Sequence, residues 1–176
     1  MISYKKASSV SELQQIINLQ RDNVPEGISS EEKETEGFVT VVHTLELLTA
    51  MNTVCQHSIA IENDTVVGYA LCMHPSFGDE IDVLKPMFSE IQKTIDPTTS
   101  WMVMGQICID KNFRKKGIFR RLYEHMSTSI RPEFTTIITE VDATNTRSLA
   151  AHYAIGFKLM STYTADRKEW VLIRLN

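Results

Sequence analysis

Gln106-Ile-Cys-Ile-Asp-Lys-Asn-Phe-Arg-Lys-Lys-Gly-Ile-Phe-Arg-Arg-Leu-Tyr123 is the stretch from which the rest of the chain is read. It opens inside an apolar run, Val103 to Ile109, that predicts a strand, and passes through the turn-forming Asp110-Lys111-Asn112. From Gly117 onward, Ile118, Phe119, Leu122, Met126 and Ile130 recur at three- and four-residue spacing, which predicts a helix. The first turn of a helix carries backbone N–H groups without internal partners, and its positive dipole end attracts anions, phosphate among them. Lys111, Arg114, Lys115, Lys116, Arg120 and Arg121 crowd this loop and helix start, in a chain whose formal charge is −4. The positive charge is therefore local.

The 176 residues fit one domain with one core, assigned to 1–176. Hydrophobic content of 43% and charged content of 23% are ordinary for a water-soluble domain, and no apolar run is long enough to cross a bilayer, so no membrane partner is expected. Met-Ile-Ser-Tyr-Lys-Lys at the start carries no export pattern, which makes a cytoplasmic location the expectation. Cys55, Cys72 and Cys108 are odd in number and widely spaced, fitting neither a disulfide framework nor a metal site. They read as reduced, buried thiols, and no metal is expected. An isoelectric point near 5.7, with no repeated basic and aromatic interleaving, argues against nucleic acid.

Around the central stretch, residues 2–7 predict a strand and 9–21 a helix with Ser8, Ser9 and Ser11 as candidate caps. Asn23 to Gly27 stops that helix, and the acidic run 29–36 is a short helix or a loop. Residues 37–43 are β-prone and Leu45 to Met51 helical. Residues 57–62 and 66–73 predict a hairpin about Asn63-Asp64, the second strand buried on both faces. Residues 79–95 form an amphipathic helical pattern interrupted by Pro86, so the helix proper starts near Lys85. Phe134 to Val141 predicts a strand, Thr146 to Ile155 a helix, and residues 157–164 and 168–175 two strands about Ala165-Asp166-Arg167. This order makes an α/β fold, a mixed sheet with helices on both faces.

Arg114-Lys-Lys-Gly117-Ile-Phe119 resembles the pyrophosphate-binding signature of the GNAT superfamily of acyl-CoA-dependent N-acetyltransferases, which reads Gln or Arg, two residues, Gly, one residue, then Gly or Ala. Phe119 departs from the last small position. Asn145-Thr-Arg-Ser-Leu-Ala-Ala-His-Tyr-Ala-Ile-Gly-Phe157 resembles the family's later helix and the strand after it, with His152 where the family usually has Tyr. Two blocks in the right order make a stronger signal than either alone. The resemblance covers 101–157 directly and implies a GNAT-like central sheet splayed between the strand ending at Ile109 and the strand ending near Val141, with acetyl-CoA in the wedge.

Carried over residue by residue, the resemblance assigns Ile107 and Ile109 to the pantetheine. It assigns Arg114, Lys115, Gly117, Ile118, Phe119 and Arg120 to the phosphates, and places Asn145 near the cofactor while also capping its helix, with Thr144 the competing cap. A side chain at Gly117 would crowd a backbone that must face phosphate. Phe119 shares a face with Leu122 and Met126, so its ring is expected in the core. Transfer to an amine needs a neutral nucleophile, a stabilised oxyanion and a proton for the departing thiolate. His152 falls where the family places its proton donor, and Glu140 is the candidate base. Glu34, Phe38 and His43 are candidate acceptor contacts. The expected activity is acetyl transfer to a primary amine of a small molecule or peptide, by a monomer or homodimer. The alternative is a non-catalytic acyl-CoA-binding or sensing domain.

Overall fold

The structure is a computed structural model that describes residues 1–24, 39 and 41–176. Glu34, Phe38 and the acidic run 29–36 lie outside those residues. β1 (Ser3–Lys6) leads into α1 (Val10–Arg21), which starts with a capping box in which Ser9 accepts from the Glu12 amide and Glu12 reaches back to the Ser9 amide. α2 (Leu45–Val54) runs one turn further than its apolar pattern suggested; Thr44 caps its start, and the Thr49 and Thr53 hydroxyls donate to the Leu45 and Thr49 carbonyls within the helix. Residues 41–43 precede it outside any strand, although 37–43 is β-prone.

β2 (Ser58–Glu62) and β3 (Thr65–Met73) form the expected hairpin, with Asn63 and Asp64 both at positive φ as a two-residue turn requires. A short 3₁₀ turn, Pro75–Gly78, precedes the stretch 79–95, which resolves into a second 3₁₀ turn, Asp82–Leu84, and then α3 (Lys85–Thr94), with Pro86 in its first turn where its missing N–H does no harm. β4 (Trp101–Ile109), α4 (Ile118–Ile130) and β5 (Thr136–Asp142) form the strand-helix-strand core of the fold. α5 (Thr146–Ala154), β6 (Lys158–Ala165) and β7 (Lys168–Leu175) complete it.

The sheet has seven strands in the order β1-β2-β3-β4-β5-β7-β6. Its one parallel pair is β4 with β5, and that pairing joins only Trp101–Val103 to Thr136–Ile138. Past Val103 the strands part. A register shift in the β3–β4 pairing adds to the divergence: Ala70 pairs with Ile107 but Cys72 with Met104, so β4 carries an extra residue there, and such a bulge bends its strand. Thr139 donates its hydroxyl to the Met104 carbonyl at 2.9 Å, satisfying a β4 acceptor at the point of separation.

Alternation along β5 sends Ile138 to one face, beneath α1, α2 and α3, and Ile137 and Val141 to the other, beneath α4. β3 is buried on both faces, as its unbroken apolar run requires. All three cysteines are thiols. Cys72 and Cys108 are buried, whereas Cys55 is only half-buried because it closes the C-terminal end of α2 at the core's margin.

Candidate active site

A cleft opens where β4 and β5 part. It is lined by Asn23, Val39, Ile107, Cys108, Ile109, Phe113, Arg114, Lys115, Gly117, Ile118, Phe119, Asn145, Arg147, Ser148 and Ala151. The structure thus gathers Ile107, Ile109, Arg114, Lys115, Gly117, Ile118, Phe119 and Asn145 around one space, from a strand, a loop and two helix starts. Arg120, His152 and Glu140 do not line it.

Local sequence explains the loop wall. Asp110 accepts from the Asn112 amide, and a 3₁₀ turn, Lys111–Phe113, follows. Lys115 at φ +63° and Gly117 at φ +78° then fold the chain into the start of α4. Gly117 is the N-cap, with no side chain to satisfy the helix's first amides. A Cβ built there meets nothing within 4 Å, so glycine serves the left-handed backbone and leaves open space over the amides. That cradle suits an anion that accepts several N–H bonds. Arg114 straps the loop down: Nε donates to the Ile109 carbonyl at 3.2 Å and Nη2 to Asn23 Oδ1 at 2.6 Å, tying it to the end of α1.

Asn145 does cap α5, accepting from the Ser148 amide at 3.2 Å, while Thr144 instead bonds Asp142 at the end of β5. Arg147, Ser148 and Ala151 were missed in the sequence reading. Their signal was the three-residue spacing of Asn145, Ser148 and Ala151, which puts one helix face toward the cleft.

The Phe119 ring is only partly buried. It packs against the core, as its helical face requires, edge-on against His152 at 5.0 Å and Tyr123 at 5.3 Å, and its outer side floors the cleft. Arg120 turns away and donates to the Ala154 carbonyl at 3.1 Å, at the C-terminal end of α5. The helix periodicity that brings Ile118 inward carries residue 120 past the cleft, so in this structure its side chain lies away from the expected phosphate position.

His152 is 1% exposed and packs edge-on against Tyr123, Phe119 and Phe157. Its Nδ1 lies 2.7 Å from the Ser148 carbonyl, an acceptor, so Nδ1 carries the proton; Nε2 then accepts from the Tyr123 hydroxyl at 2.8 Å. Burial pulls its pKa down to about 4, against a raising contribution from the Ser148 carbonyl. The ring is neutral at pH 7, and both nitrogens are engaged by the chain. In this arrangement the imidazole has no proton to offer a sulfur in the cleft, contrary to the role expected of it.

Glu140 stands on the same face of β5 as Ile138, directly across from Leu172. Burial raises its pKa to about 7, offset in part by the hydrogen bond from the Tyr163 hydroxyl to its Oε2. Its carboxyl is balanced between its two forms near neutral pH. His43 is partly buried, its amide held by Gln20 at 2.8 Å and its pKa lowered by burial. Among the described residues no group of three or more His, Cys, Asp or Glu could hold a metal ion, and no helix is long and apolar enough to cross a membrane.

A mixed sheet parted around a glycine-capped helix start is the framework of acyl-CoA-dependent acyltransferases. The chain belongs to the acetyltransferase (GNAT) family, whose family model matches residues 13–157. No curated protein matches the chain. Solved structures do. The structure of Arabidopsis thaliana Naa50 in complex with the bisubstrate analogue CoA-Ac-MVNAL superposes with a TM-score of 0.66 at 14% identity, covering 99% of this chain and 98% of that one. The ribosomal-protein-S18-alanine N-acetyltransferase from Escherichia coli gives 0.64 at 13%, covering 99% and 93%. The protein yncA from Salmonella typhimurium, solved with its cofactor acetyl-CoA, gives 0.64 at 12%, covering 99% and 93%. At these identities the likeness is one of fold. The chain is an acyltransferase of the acetyl-transferring kind.

Proposed function

We propose that one domain, 1–176, transfers the acetyl group of acetyl-CoA directly to a primary amine while both are bound. The observation that carries this reading is the left-handed Gly117 at the head of a cleft between parted strands, with helix amides and the Lys115 backbone turned about one space. In this reading the loop amides from Lys115 to Phe119 hold the pyrophosphate, and the inner edge of β4 at Ile107 and Ile109 faces the pantetheine. Asn145 closes the opposite side.

Glu140 is the proposed base. With a pKa near 7 it is substantially ionised at neutral pH and able to take a proton from the bound ammonium before attack, or from the amine nitrogen as it attacks, directly or through water. Electrons then pass from nitrogen to the acetyl carbonyl carbon, the C–S bond breaks, and the pair leaves on sulfur. His152 supports this chemistry from beneath the cleft. A peptide amine is the favoured acceptor, since the Arabidopsis structure holds a CoA-peptide analogue and the E. coli enzyme is named for a protein alanine. A small-molecule amine is the other class. We place the reaction in the cytoplasm, carried out by a monomer or a homodimer.

The test is acetyl-CoA-dependent thiol release by the purified protein across peptide, amino-acid and small amines. Turnover with at least one class is expected. CoA binding without turnover on any class would instead support an acyl-CoA-binding domain.

A further inference from the structure

The cleft needs a hydrogen-bond donor for sulfur, and His152 does not supply it. Ser148 lines the cleft in the first turn of α5, where its amide is already held by Asn145. Its Oγ lies 3.4 Å from His152 Nδ1, the same nitrogen whose proton bonds the Ser148 carbonyl. Because Nδ1 is the donor, Ser148 Oγ can only accept from it, and the serine's own hydrogen is left to point elsewhere. The Ser148 carbonyl, which can only accept, fixes the proton on Nδ1, and the Tyr123 hydroxyl, 2.8 Å from Nε2, then donates to that bare nitrogen. Tyr123, His152 and Ser148 thus form a connected run from the floor under α4 to the cleft, in which the Nδ1 proton goes first to the Ser148 carbonyl at 2.7 Å and only secondarily toward Oγ at 3.4 Å.

We infer that the Ser148 hydroxyl donates a hydrogen bond to the sulfur of the bound cofactor and stabilises the departing thiolate, with His152 and Tyr123 as positioning residues behind it. This rests on the acetyl-CoA reading above. No proton moves along the chain. When the C–S bond breaks, the electron pair stays on sulfur, Ser148 keeps its proton, and the thiolate is neutralised by solvent on release. A full relay would leave a phenolate at Tyr123, whose burial raises its pKa well above the usual value.

The experiment titrates the thiol of CoA bound to the protein by its thiolate ultraviolet absorbance, subtracting the same protein loaded with desulfo-CoA. It needs no amine acceptor. Arg114, Lys115 and Arg147 line the cleft in every variant, so their pull on the thiolate cancels in the comparison, and burial keeps the Cys108 thiol up at about 12, outside the titration. In the parent protein the bound thiol should titrate about one unit below free CoA, a tenfold stabilisation of thiolate. Ser148→Ala should return it toward the free value, whereas Ser148→Thr, which keeps a hydroxyl, should not. Tyr123→Phe, which strips Nε2 of its donor and loosens the imidazole behind Ser148, should lose about half the shift, and Ser148→Ala/Tyr123→Phe should match Ser148→Ala alone.

An unchanged bound-thiol pKa in Ser148→Ala overturns the inference, as does additivity in the double variant. If the parent binds no CoA, the cofactor reading fails and takes the inference with it. If the shift is present but no amine is acetylated, the inference stands and the transferase reading falls.

Discussion

The loop wall of the cleft and the buried groups behind the cleft obtain their chemistry by different means. On the loop wall, Lys115 and Gly117 hold a left-handed backbone, and the resource is oriented N–H groups and a helix end. Behind the cleft, outside its lining, Glu140 on β5 and His152 on α5 owe their states to burial, which pushes one pKa up to about 7 and the other down to about 4. The first region therefore fails by bulk or charge, and the second by protonation.

Gly117→Glu strikes the loop wall hardest. The residue has open space around it, so the fold should survive at a cost of about 1 kcal/mol for a side chain in the left-handed region. CoA affinity should fall more than about a hundredfold, some 2.7 kcal/mol, since a carboxylate then occupies the anion cradle. Calorimetry on the folded variant decides, and unchanged binding would remove the phosphate assignment. Acetyl-CoA and CoA should bind the parent alike, because the cleft's polar groups address the shared part of the two molecules.

Glu140→Gln is the matching blow to the buried groups behind the cleft. On a confirmed acceptor the maximal rate should drop by about a hundredfold or more, the usual cost of losing a general base, with CoA affinity unchanged. The parent's rate should rise with pH through about 7, and that limb should vanish in the variant. Tyr163→Phe sharpens the point: the Tyr163 bond holds the carboxyl pKa down, so removing it should move the limb to higher pH. A limb that stays in place in Glu140→Gln would assign it to another group.

The contrast also explains what could be read from residues alone. Gly117 and the basic loop before it are local features, and a turn, a glycine and a periodic helix reveal them without knowledge of neighbours. The parallel β4-α4-β5 unit follows from the same order. Arg120 and Phe119 needed helix phase, and there the family pattern assigned both to phosphate while the structure sends one to the end of α5 and the other to the cleft floor. His152 was the harder case. Its position matched a proton donor, but burial holds the ring neutral, and its Nε2 is taken up by Tyr123, a residue 29 positions away. Burial of this sort comes from tertiary contacts that no short motif encodes.

The pH dependence of stability reports on the buried groups without any ligand. His152 and His57 have folded pKa values near 4 against an ordinary 6.5, so the unfolded chain binds more protons. Their contribution is full above pH 6.5 and is lost as pH falls toward 4, up to about 3 kcal/mol each. Glu140 acts oppositely: with a folded pKa near 7 against 4.5, its contribution is full below pH 4.5 and is lost as pH rises through 7. His152→Phe should flatten the acid side of a plot of melting temperature against pH while costing about 1–3 kcal/mol at pH 7, because the Tyr123 hydroxyl loses its acceptor. An acid side as steep as the parent's would mean that His152 is not held neutral.

The smallest effect is expected at Arg120, and it tests where the loop wall ends. Family position makes Arg120 a phosphate contact, but its guanidinium bonds the Ala154 carbonyl, and it lies outside the cleft lining. A cation at a helix C-terminus satisfies an unpaired carbonyl and opposes the dipole, an exposed interaction worth about 0.3–1 kcal/mol. Arg120→Ala should therefore lower the melting temperature slightly and leave CoA affinity within about twofold, a difference under 0.5 kcal/mol. Lys115→Ala lies inside the lining and should weaken CoA by about 1 kcal/mol, less as salt rises. Comparing the two with dephospho-CoA locates each charge further: equal loss for both ligands places it at the pyrophosphate, and loss for CoA alone at the ribose phosphate. If Arg120→Ala weakens CoA as much as Lys115→Ala does, its side chain must leave Ala154 when the cofactor binds, and the anion site extends one helical turn beyond Gly117.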